Sequence, residues 1–154
     1  MRILMVCLGN ICRSPLAEGI LRRRIEEAGL NWTVDSAGTY DYHVGSAPHP
    51  DSQKVAKING IDISQQRARK IVPEDADRFD IIYALAGDVQ AGIQTILGDR
   101  FDPVQVRMLM NELNPGKNEN VPDPYYGTEA DFHRVYELLD RVCTALIQNH
   151  LNAA

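Results

Sequence analysis

The chain is organised around one stretch, Val6-Cys7-Leu8-Gly9-Asn10-Ile11-Cys12-Arg13-Ser14. Its first residue is the last of an apolar run, residues 3–6, which is typical of a buried strand. It precedes a segment that begins with Ser14-Pro15, and proline favours the first turn of a helix. A loop this short turns its backbone N–H groups toward the helix amino terminus, where the helix dipole also attracts anions. We therefore expect Cys7 to lie at the base of an anion-binding loop.

Two side chains of this loop have the chemistry of phosphoryl transfer. A thiolate is a strong nucleophile, and a helix amino terminus favours the thiolate over the thiol. Ser14 stands where it can donate its hydroxyl hydrogen to the sulfur of Cys7. The Arg13 guanidinium can bind two phosphoryl oxygens in a bidentate fork, which a lysine cannot do. In-line attack by Cys7 on a bound phosphate ester would form a thiophosphate, which water then hydrolyses.

Simpler interpretations exist for the same residues. Cys7 alone is typical of a small buried apolar residue at a strand end, and Arg13 alone of a solvated surface residue. The order of strand, C-x5-R-S loop and helix favours the anion site. A Walker A loop is excluded because no Gly-Lys-Ser/Thr follows, and Gly9 lacks the companion glycines of a dinucleotide fingerprint.

Length and composition narrow the class of protein. At 154 residues, we expect one domain spanning residues 1–154 with its own core. A net charge of −5 argues against general binding to nucleic acid or to an anionic membrane. No apolar stretch approaches transmembrane length, and Met1 leads directly into the first strand, which argues against a signal peptide. The three cysteines lack metal-ligand spacing and favour a reducing, cytoplasmic compartment.

Hydrophobic periodicity predicts alternating strands and helices. The predicted strands cover residues 2–6, 32–37, 80–85 and 106–109, and the longer helices cover residues 14–28, 49–59, 88–97 and 129–151. This alternation predicts an α/β fold of three layers, in which helices flank a four-stranded parallel sheet. Ligands of such sheets bind at the carboxyl edge of the strands, which is where Cys7 falls.

Three motifs resemble the low-molecular-weight protein tyrosine phosphatase family. They are V-C-L-G-N-I-C-R-S-P-x-A-E at residues 6–18, D-S-A-G-T at residues 35–39 and D-P-Y-Y-G at residues 123–127. Unrelated phosphatases share C-x5-R alone, but the three motifs together are specific and span nearly the whole chain. The resemblance implies a phosphotyrosine phosphatase I-like fold of the flavodoxin-like, Rossmannoid type. It also implies hydrolysis of phosphotyrosine and aryl phosphates through a cysteinyl-phosphate, without metal or cofactor.

The resemblance also implies roles for individual residues. Cys7 would be the nucleophile, Arg13 the phosphate clamp and Asp123 the general acid. The phosphate-binding loop would comprise Leu8, Gly9, Asn10, Ile11, Cys12 and Ser14. Local sequence alone favours a simpler interpretation of Asp123, as a turn aspartate between two prolines. Asp41 is the next candidate for the acid.

Four tyrosines in two distant segments are expected to form the walls of the substrate cleft. Tyr40 and Tyr42 lie in the loop after the second strand, and Tyr125 and Tyr126 follow Asp123. Such walls would stack on a flat phenyl ring, although Tyr40 and Tyr42 are also typical of residues that cover a core edge. In the family the tyrosine pair can itself be phosphorylated, so a tyrosine kinase is a candidate partner beside phosphotyrosine protein substrates. We expect a monomer or a weak dimer.

Four further residues carry narrower expectations. Family members commonly have histidine where this chain has Gln66, and we expect Gln66 to donate a hydrogen bond to Asn10. His43 and His49 are interpreted as surface residues. Cys12 has two interpretations, as a packing residue or as the partner of Cys7 in a disulfide formed on oxidation.

Two rival functions use the same loop. An arsenate reductase on this scaffold needs two more redox cysteines after the third strand, and residues 83–98 contain none. A non-catalytic phosphate- or phosphopeptide-binding module would require neither Cys7 nor Asp123. The presence of both residues argues against such a module.

Overall fold

The computed structural model describes residues 1–153 and contains one sheet of four parallel strands. In spatial order the strands are β2, β1, β3 and β4. Their bounds are Arg2–Cys7 for β1, Thr33–Gly38 for β2, Ile81–Ala84 for β3 and Val106–Met108 for β4. The predicted α/β fold with a four-stranded parallel sheet is confirmed.

Helices cover both faces of this sheet. Their bounds are Arg13–Glu27 for α1, Pro50–Ile58 for α2, Asp75–Arg78 for α3, Gly87–Leu97 for α4 and Glu129–Ala153 for α5. Helices α1, α2 and α5 pack together on one face, and α4 packs against β3 and β4 on the other. No helix within residues 1–153 combines the length and the apolar character needed to cross a membrane.

The central strand β1 separates two apolar cores. Ile3 and Met5 face the core under α1 and α5, whereas Leu4 and Val6 face the core under α4. All four side chains are fully buried. A strand buried on both faces explains why the sequence has an uninterrupted apolar run there instead of an alternating pattern.

Element ends differ from the predicted ones by one or two residues, which is common where local contacts decide the last turn. Strand β1 continues through Cys7, and α1 begins at Arg13. Strand β3 begins after Asp80, whose carboxylate accepts a hydrogen bond from the backbone N–H of Arg2 at 2.7 Å.

Candidate active site

The loop between β1 and α1 lies at the carboxyl edge of the sheet and is held against β2. The backbone N–H groups of Thr39 and Tyr40 donate to the carbonyls of Cys7 and Leu8 at 3.1 and 2.9 Å. A Cβ atom at Gly38 would lie 2.7 Å from the Leu8 carbonyl oxygen, so this approach requires glycine. The position of the loop is therefore fixed by the strand next to β1.

Cys7 is buried at the base of this loop, where only 2% of the residue is exposed. Its Sγ lies 3.0 Å from the Oγ of Ser14, in the first turn of α1. Ser14 Oγ also accepts a hydrogen bond from Nδ2 of Asn10 at 2.7 Å, so its own hydrogen can point at the sulfur or at the more distant carbonyl of Ala37, 3.5 Å away. In this arrangement the Ser14 hydroxyl can serve as a hydrogen-bond donor to Cys7 Sγ.

Asn10 holds the loop in shape. Its backbone adopts the left-handed conformation, with φ of 57°. The backbone N–H of Arg69 donates to Asn10 Oδ1 at 3.0 Å, which turns Nδ2 toward the hydroxyls of Ser14 and Ser36. The expected bond from Gln66 to Asn10 is wrong, since Gln66 Nε2 donates to the carbonyl of Pro15 at 3.1 Å.

A chain of hydrogen bonds continues from Asn10 to the surface. Ser36 Oγ donates to Glu18 Oε1 at 2.6 Å, and Arg22 pairs with Glu18 Oε2 at 2.9 Å. Burial raises the pKa of Glu18, while the bonds from Ser36 and Arg22 act in the opposite direction. The sequence gives no sign that Glu18 belongs to this network, because Ser36 lies on a different element.

Arg13 and Asp123 meet on the other side of the cavity. Arg13 is 5% exposed, and one guanidinium nitrogen donates to the carbonyl of Val121 at 3.1 Å. A second nitrogen, Nη2, lies 3.6 Å from Asp123 Oδ2. The aspartate side chain is 45% exposed, so the ion pair joins a buried cation to a carboxylate at the cavity mouth.

The segment that carries Asp123 is fixed at its base. The backbone N–H of Val121 donates to the carbonyl of Leu85 at 2.8 Å, just past the end of β3. The backbone N–H of Tyr125 donates to Asp123 Oδ1 at 3.1 Å, which sets the direction of the carboxylate. The two prolines that flank Asp123 restrict the backbone between these points.

One cavity of about 350 Å³ brings these groups together. Its lining contains the sulfur of Cys7, the guanidinium of Arg13, the carboxylate of Asp123 and the four tyrosines predicted from the sequence. The lining residues are Cys7, Leu8, Gly9, Ile11, Cys12, Arg13, Tyr40, Tyr42, His43, Asp123, Tyr125 and Tyr126. Asn10, Ser14 and Asp41 are not part of this lining.

Two histidines that the sequence suggested were surface residues are half-buried, one of them in the cavity lining. His43 lines the cavity, and a Cβ atom at Gly9 would lie 3.1 Å from the His43 ring. His49 stacks on Phe132 and meets the edge of Tyr125. These contacts join residues far apart in sequence, so periodicity could not reveal them. The one available signal was His49-Pro50 before an amphipathic segment, a pattern typical of a helix start.

The other two cysteines are buried thiols. Burial raises the pKa of Cys12 to about 12, and the nearby charges of Cys7 and Asp123 act in the same direction. Cys143 lies in the core between α5 and α1, as the apolar stripe of α5 predicted.

The sheet, the loop at its carboxyl edge and the cavity above that loop define a class of protein. It is the class of parallel α/β proteins that bind an anion between a strand and the amino terminus of the following helix, here with a cysteine at the base of the loop.

Comparison with known proteins narrows this class to a family. A sequence profile described as "Low molecular weight phosphotyrosine protein phosphatase" matches residues 2–154. The chain therefore belongs to the low molecular weight phosphotyrosine protein phosphatase family, whose members are protein-tyrosine phosphatases.

Individual relatives and a solved structure agree with this membership. A putative low molecular weight protein-tyrosine-phosphatase of Synechocystis is 42% identical over 154 residues, covering 96% of this chain and 94% of the relative. The human low molecular weight phosphotyrosine protein phosphatase is 35% identical, covering 95% and 93%. The crystal structure of an Entamoeba histolytica protein tyrosine phosphatase, with Hepes in its active site, matches with a TM-score of 0.89 and 35% identity, covering 99% and 98% of the two chains.

Proposed function

We propose that this protein hydrolyses phosphotyrosine in proteins through a cysteinyl-phosphate, with Cys7 as nucleophile, Arg13 as phosphate clamp and Asp123 as general acid. One observation carries the proposal: the sulfur, the guanidinium and the carboxylate line the same cavity. Hepes, a sulfonate, occupies the active site of the Entamoeba histolytica relative, which supports a tetrahedral oxyanion site in this chain. The whole chain, residues 1–154, would form one catalytic domain.

The first chemical step transfers the phosphoryl group to Cys7. The thiolate attacks phosphorus in line, so that an S–P bond forms while the P–O bond to the aryl group breaks. Asp123 gives its proton to the departing phenol oxygen. In the free protein Arg13 pairs with Asp123. A bound phosphate dianion would bind the Arg13 guanidinium in place of Asp123, and it would repel a negative charge on the Asp123 carboxylate. Substrate binding thus favours the protonated acid that this step needs.

The second step releases phosphate and restores the free thiolate. A water molecule attacks phosphorus on the side opposite the sulfur and gives a proton to the Asp123 carboxylate. The S–P bond breaks and its electron pair returns to Cys7. Ser14 assists this departure because its hydroxyl, 3.0 Å from Sγ, can donate to the developing thiolate. Asn10 supports both steps by orienting Ser14.

The cleft walls suggest the form of the substrate. Tyr42 is 85% exposed and Tyr126 is 96% exposed, on the two sides of the cavity. Aromatic walls of this kind suit the phenyl ring of phosphotyrosine. Because Tyr126 is so accessible, a tyrosine kinase acting on the 125–126 pair is a second proposed partner. We further propose a cytoplasmic location, where three unpaired cysteines stay reduced, and a monomer or weak dimer.

Replacement of the nucleophile tests the proposed function. Cys7→Ser should abolish hydrolysis of p-nitrophenyl phosphate and of a phosphotyrosine peptide while it still binds phosphate or vanadate. Cys143→Ala is the matched control, since it removes a buried cysteine of α5 and leaves the cavity intact. EDTA should not change the rate, because the chain's own residues supply the nucleophile, the clamp and the acid. Activity that survives Cys7→Ser, or that EDTA removes, would contradict the mechanism.

The role of Asp123 is tested with a series of leaving groups. Loss of a general acid slows hydrolysis little when the leaving group is p-nitrophenolate, which is a stable anion. It slows hydrolysis strongly when the leaving group is a more basic phenolate. For Asp123→Asn, the loss in kcat/KM should therefore grow from p-nitrophenyl phosphate to phenyl phosphate, within the range of about 10²–10⁴-fold that such catalysts supply. Equal losses for both substrates would mean that Asp123 only shapes its loop, and Asp41→Asn would be tested next.

The pH profile of the wild type offers an independent check. The rate should fall on the alkaline side, because the proposed general acid must carry a proton when the leaving group departs. The alkaline limb should disappear in Asp123→Asn. An alkaline limb that persists in this variant would assign it to another group.

A further inference from the structure

His49 joins three parts of the molecule that meet beside the cavity. Its backbone N–H donates to the carbonyl of Ile11, in the phosphate-binding loop, at 2.8 Å. Its ring stacks on Phe132 of α5, with centroids 4.8 Å apart and planes inclined by 28°. The same ring meets Tyr125 in an edge-on arrangement, with centroids 5.9 Å apart and planes inclined by 74°.

The ring of His49 has a fixed orientation. It stands at the N-cap of α2, where Nδ1 accepts a hydrogen bond from the backbone N–H of Asp51 at 3.0 Å. Phe132, on which the ring stacks, is fully buried in the core. His49 is therefore a rigid surface against which another ring can rest.

Tyr125 rests on this surface, and Tyr125 orients Asp123. The backbone N–H of Tyr125 donates to Asp123 Oδ1 at 3.1 Å, so a shift of Tyr125 moves the carboxylate. Tyr125 is 39% exposed, and its other aromatic neighbours are the exposed Tyr126 and the half-buried His43. The firm support for its ring comes from His49.

We infer that His49 is a positioning residue for acid catalysis: by seating the ring of Tyr125, it holds the Asp123 carboxylate over the cavity. The inference rests on the proposed role of Asp123 as general acid. His49 touches no substrate in this arrangement and acts through Tyr125 alone. Its second task, capping α2, is chemically separate, and this makes the two roles distinguishable.

Two substitutions separate the roles. Asparagine is a good N-cap and has no aromatic ring, so His49→Asn keeps the cap and loses the stack. Phenylalanine can stack on Phe132 and Tyr125 but accepts no hydrogen bond, so His49→Phe keeps the stack and loses the cap. His133→Asn serves as the control for loss of a histidine, since the side chain of His133 on α5 is 40% exposed and lies outside the cavity lining.

The readout is the ratio of kcat/KM for p-nitrophenyl phosphate to kcat/KM for phenyl phosphate. A misplaced acid slows only the substrate whose leaving group needs a proton, so His49→Asn should raise this ratio by about three- to tenfold, part of the full effect of a general acid. His49→Phe should restore the wild-type ratio while lowering Tm, because a cap is lost. His133→Asn should change neither quantity.

Each outcome bears on a different part of the inference. Asp123→Asn is measured first: if it leaves the ratio unchanged, the acid role fails and the inference fails with it. If Asp123→Asn raises the ratio and His49→Asn does not, the proposed function stands and the role of His49 is overturned. An equal rise in His49→Asn and His49→Phe would also overturn it, because His49→Phe keeps the ring stack and loss of the stack could then not be the cause.

Discussion

Asn10 has a backbone conformation that few side chains tolerate. Both the oxygen and the nitrogen of its side-chain amide form hydrogen bonds. With φ of 57° Asn10 falls in the left-handed region, where asparagine is enriched among non-glycine residues. Glycine would satisfy the backbone equally well but could not orient Ser14 and Ser36. The backbone conformation and the side-chain hydrogen bonds therefore both favour asparagine at this position.

Asn10→Asp tests whether the direction of these hydrogen bonds matters for Cys7. Aspartate keeps the size and the acceptor for Arg69 N–H, but it presents an oxygen where Nδ2 faced the two serines. Ser14 would then donate its hydrogen to the new carboxylate and withdraw it from Cys7 Sγ. Hydrogen bonds to charged groups contribute about 1.5–3 kcal/mol, so alkylation of Cys7 by iodoacetate at mildly acidic pH should slow by about tenfold or more.

The measurement is the rate of alkylation at one mildly acidic pH, which should be lower in the variant than in the wild type. Asn118→Asp is the matched control, because Asn118 also has a positive φ, of 52°, and is outside the cavity lining. An unchanged alkylation rate in Asn10→Asp would show that Ser14 does not act on the sulfur.

Cys12 and Cys7 differ in reactivity although they belong to one loop. Burial raises the pKa of Cys12 to about 12, so its thiol stays protonated at neutral pH. Iodoacetate should therefore label Cys7 alone, and bound phosphate should protect it. Labelling of Cys12 at a similar rate would contradict this difference.

Peroxide tests the disulfide expected from the sequence. Oxidation of the Cys7 thiolate gives a sulfenic acid, and attack by Cys12 on that sulfur forms the S–S bond and releases water. Inactivation by peroxide should then be reversed by dithiothreitol in the wild type. In Cys12→Ser the sulfenic acid has no partner, so prolonged peroxide should cause irreversible loss. Reversal that is identical in both proteins would exclude Cys12.

At the scale of elements, helix α1 carries the loop at its amino terminus and a buried carboxylate one turn further on. Glu18 lies on the face of α1 that packs against β2, where Ser36 meets it. The helix thus connects the phosphate-binding loop to the sheet through polar contacts as well as apolar ones.

Glu18→Gln should reveal the cost of this buried charge. Because burial raises the pKa of Glu18, the folded protein holds the proton more tightly than the unfolded chain. The wild type therefore loses stability as pH rises above the unfolded pKa of 4.5, whereas glutamine does not titrate. The free energy of unfolding of Glu18→Gln, relative to wild type, should increase from pH 4 to pH 7. The ion pair with Arg22, whose side chain is half exposed, offsets little of this difference.

Urea unfolding at the two pH values measures this difference. Glu26→Gln, on the exposed side of the same helix, should show no comparable change. A relative stability of Glu18→Gln that falls between pH 4 and pH 7 would show that the ion pair outweighs the burial.

The sequence predicted the elements better than their contacts, and the reasons are physical. The apolar run of β1 and the position of Pro15 are local signals, so the order of strand, loop and helix was predicted correctly. Gln66 was assigned the wrong hydrogen-bond partner, since the backbone N–H of Arg69 already occupies the acceptor of Asn10. The sequence predicts a surface position for His49 and misses its contact with Phe132, because the N-cap of α2 and helix α5 are far apart in the sequence.

At the scale of the whole molecule, the parallel sheet brings together segments that are far apart in the chain. The loop after β2 supplies one wall of the cleft, and the segment before α5 supplies the other. Both segments leave the sheet at its carboxyl edge, beside Cys7. The site is therefore a property of the topology, and the tyrosines that line it need not be buried.

Tyr42→Ala and Tyr126→Ala test whether these walls bind substrate or only cover the core. Both side chains are almost fully exposed, so the substitutions should leave the free energy of unfolding within about 0.5 kcal/mol of the wild type. Aromatic stacking contributes about 0.5–1.5 kcal/mol, which predicts a rise in KM of about two- to twelvefold for a phosphotyrosine peptide. Tyr83→Phe is a contrast for stability: it removes a buried hydroxyl that donates to Glu112 and should lower stability without changing KM.

Inorganic phosphate has no ring to stack, so its inhibition constant should be the same in Tyr42→Ala, in Tyr126→Ala and in the wild type. A weaker affinity for phosphate would mean that the tyrosines shape the loop itself, and a lower stability would mean that they cover the core.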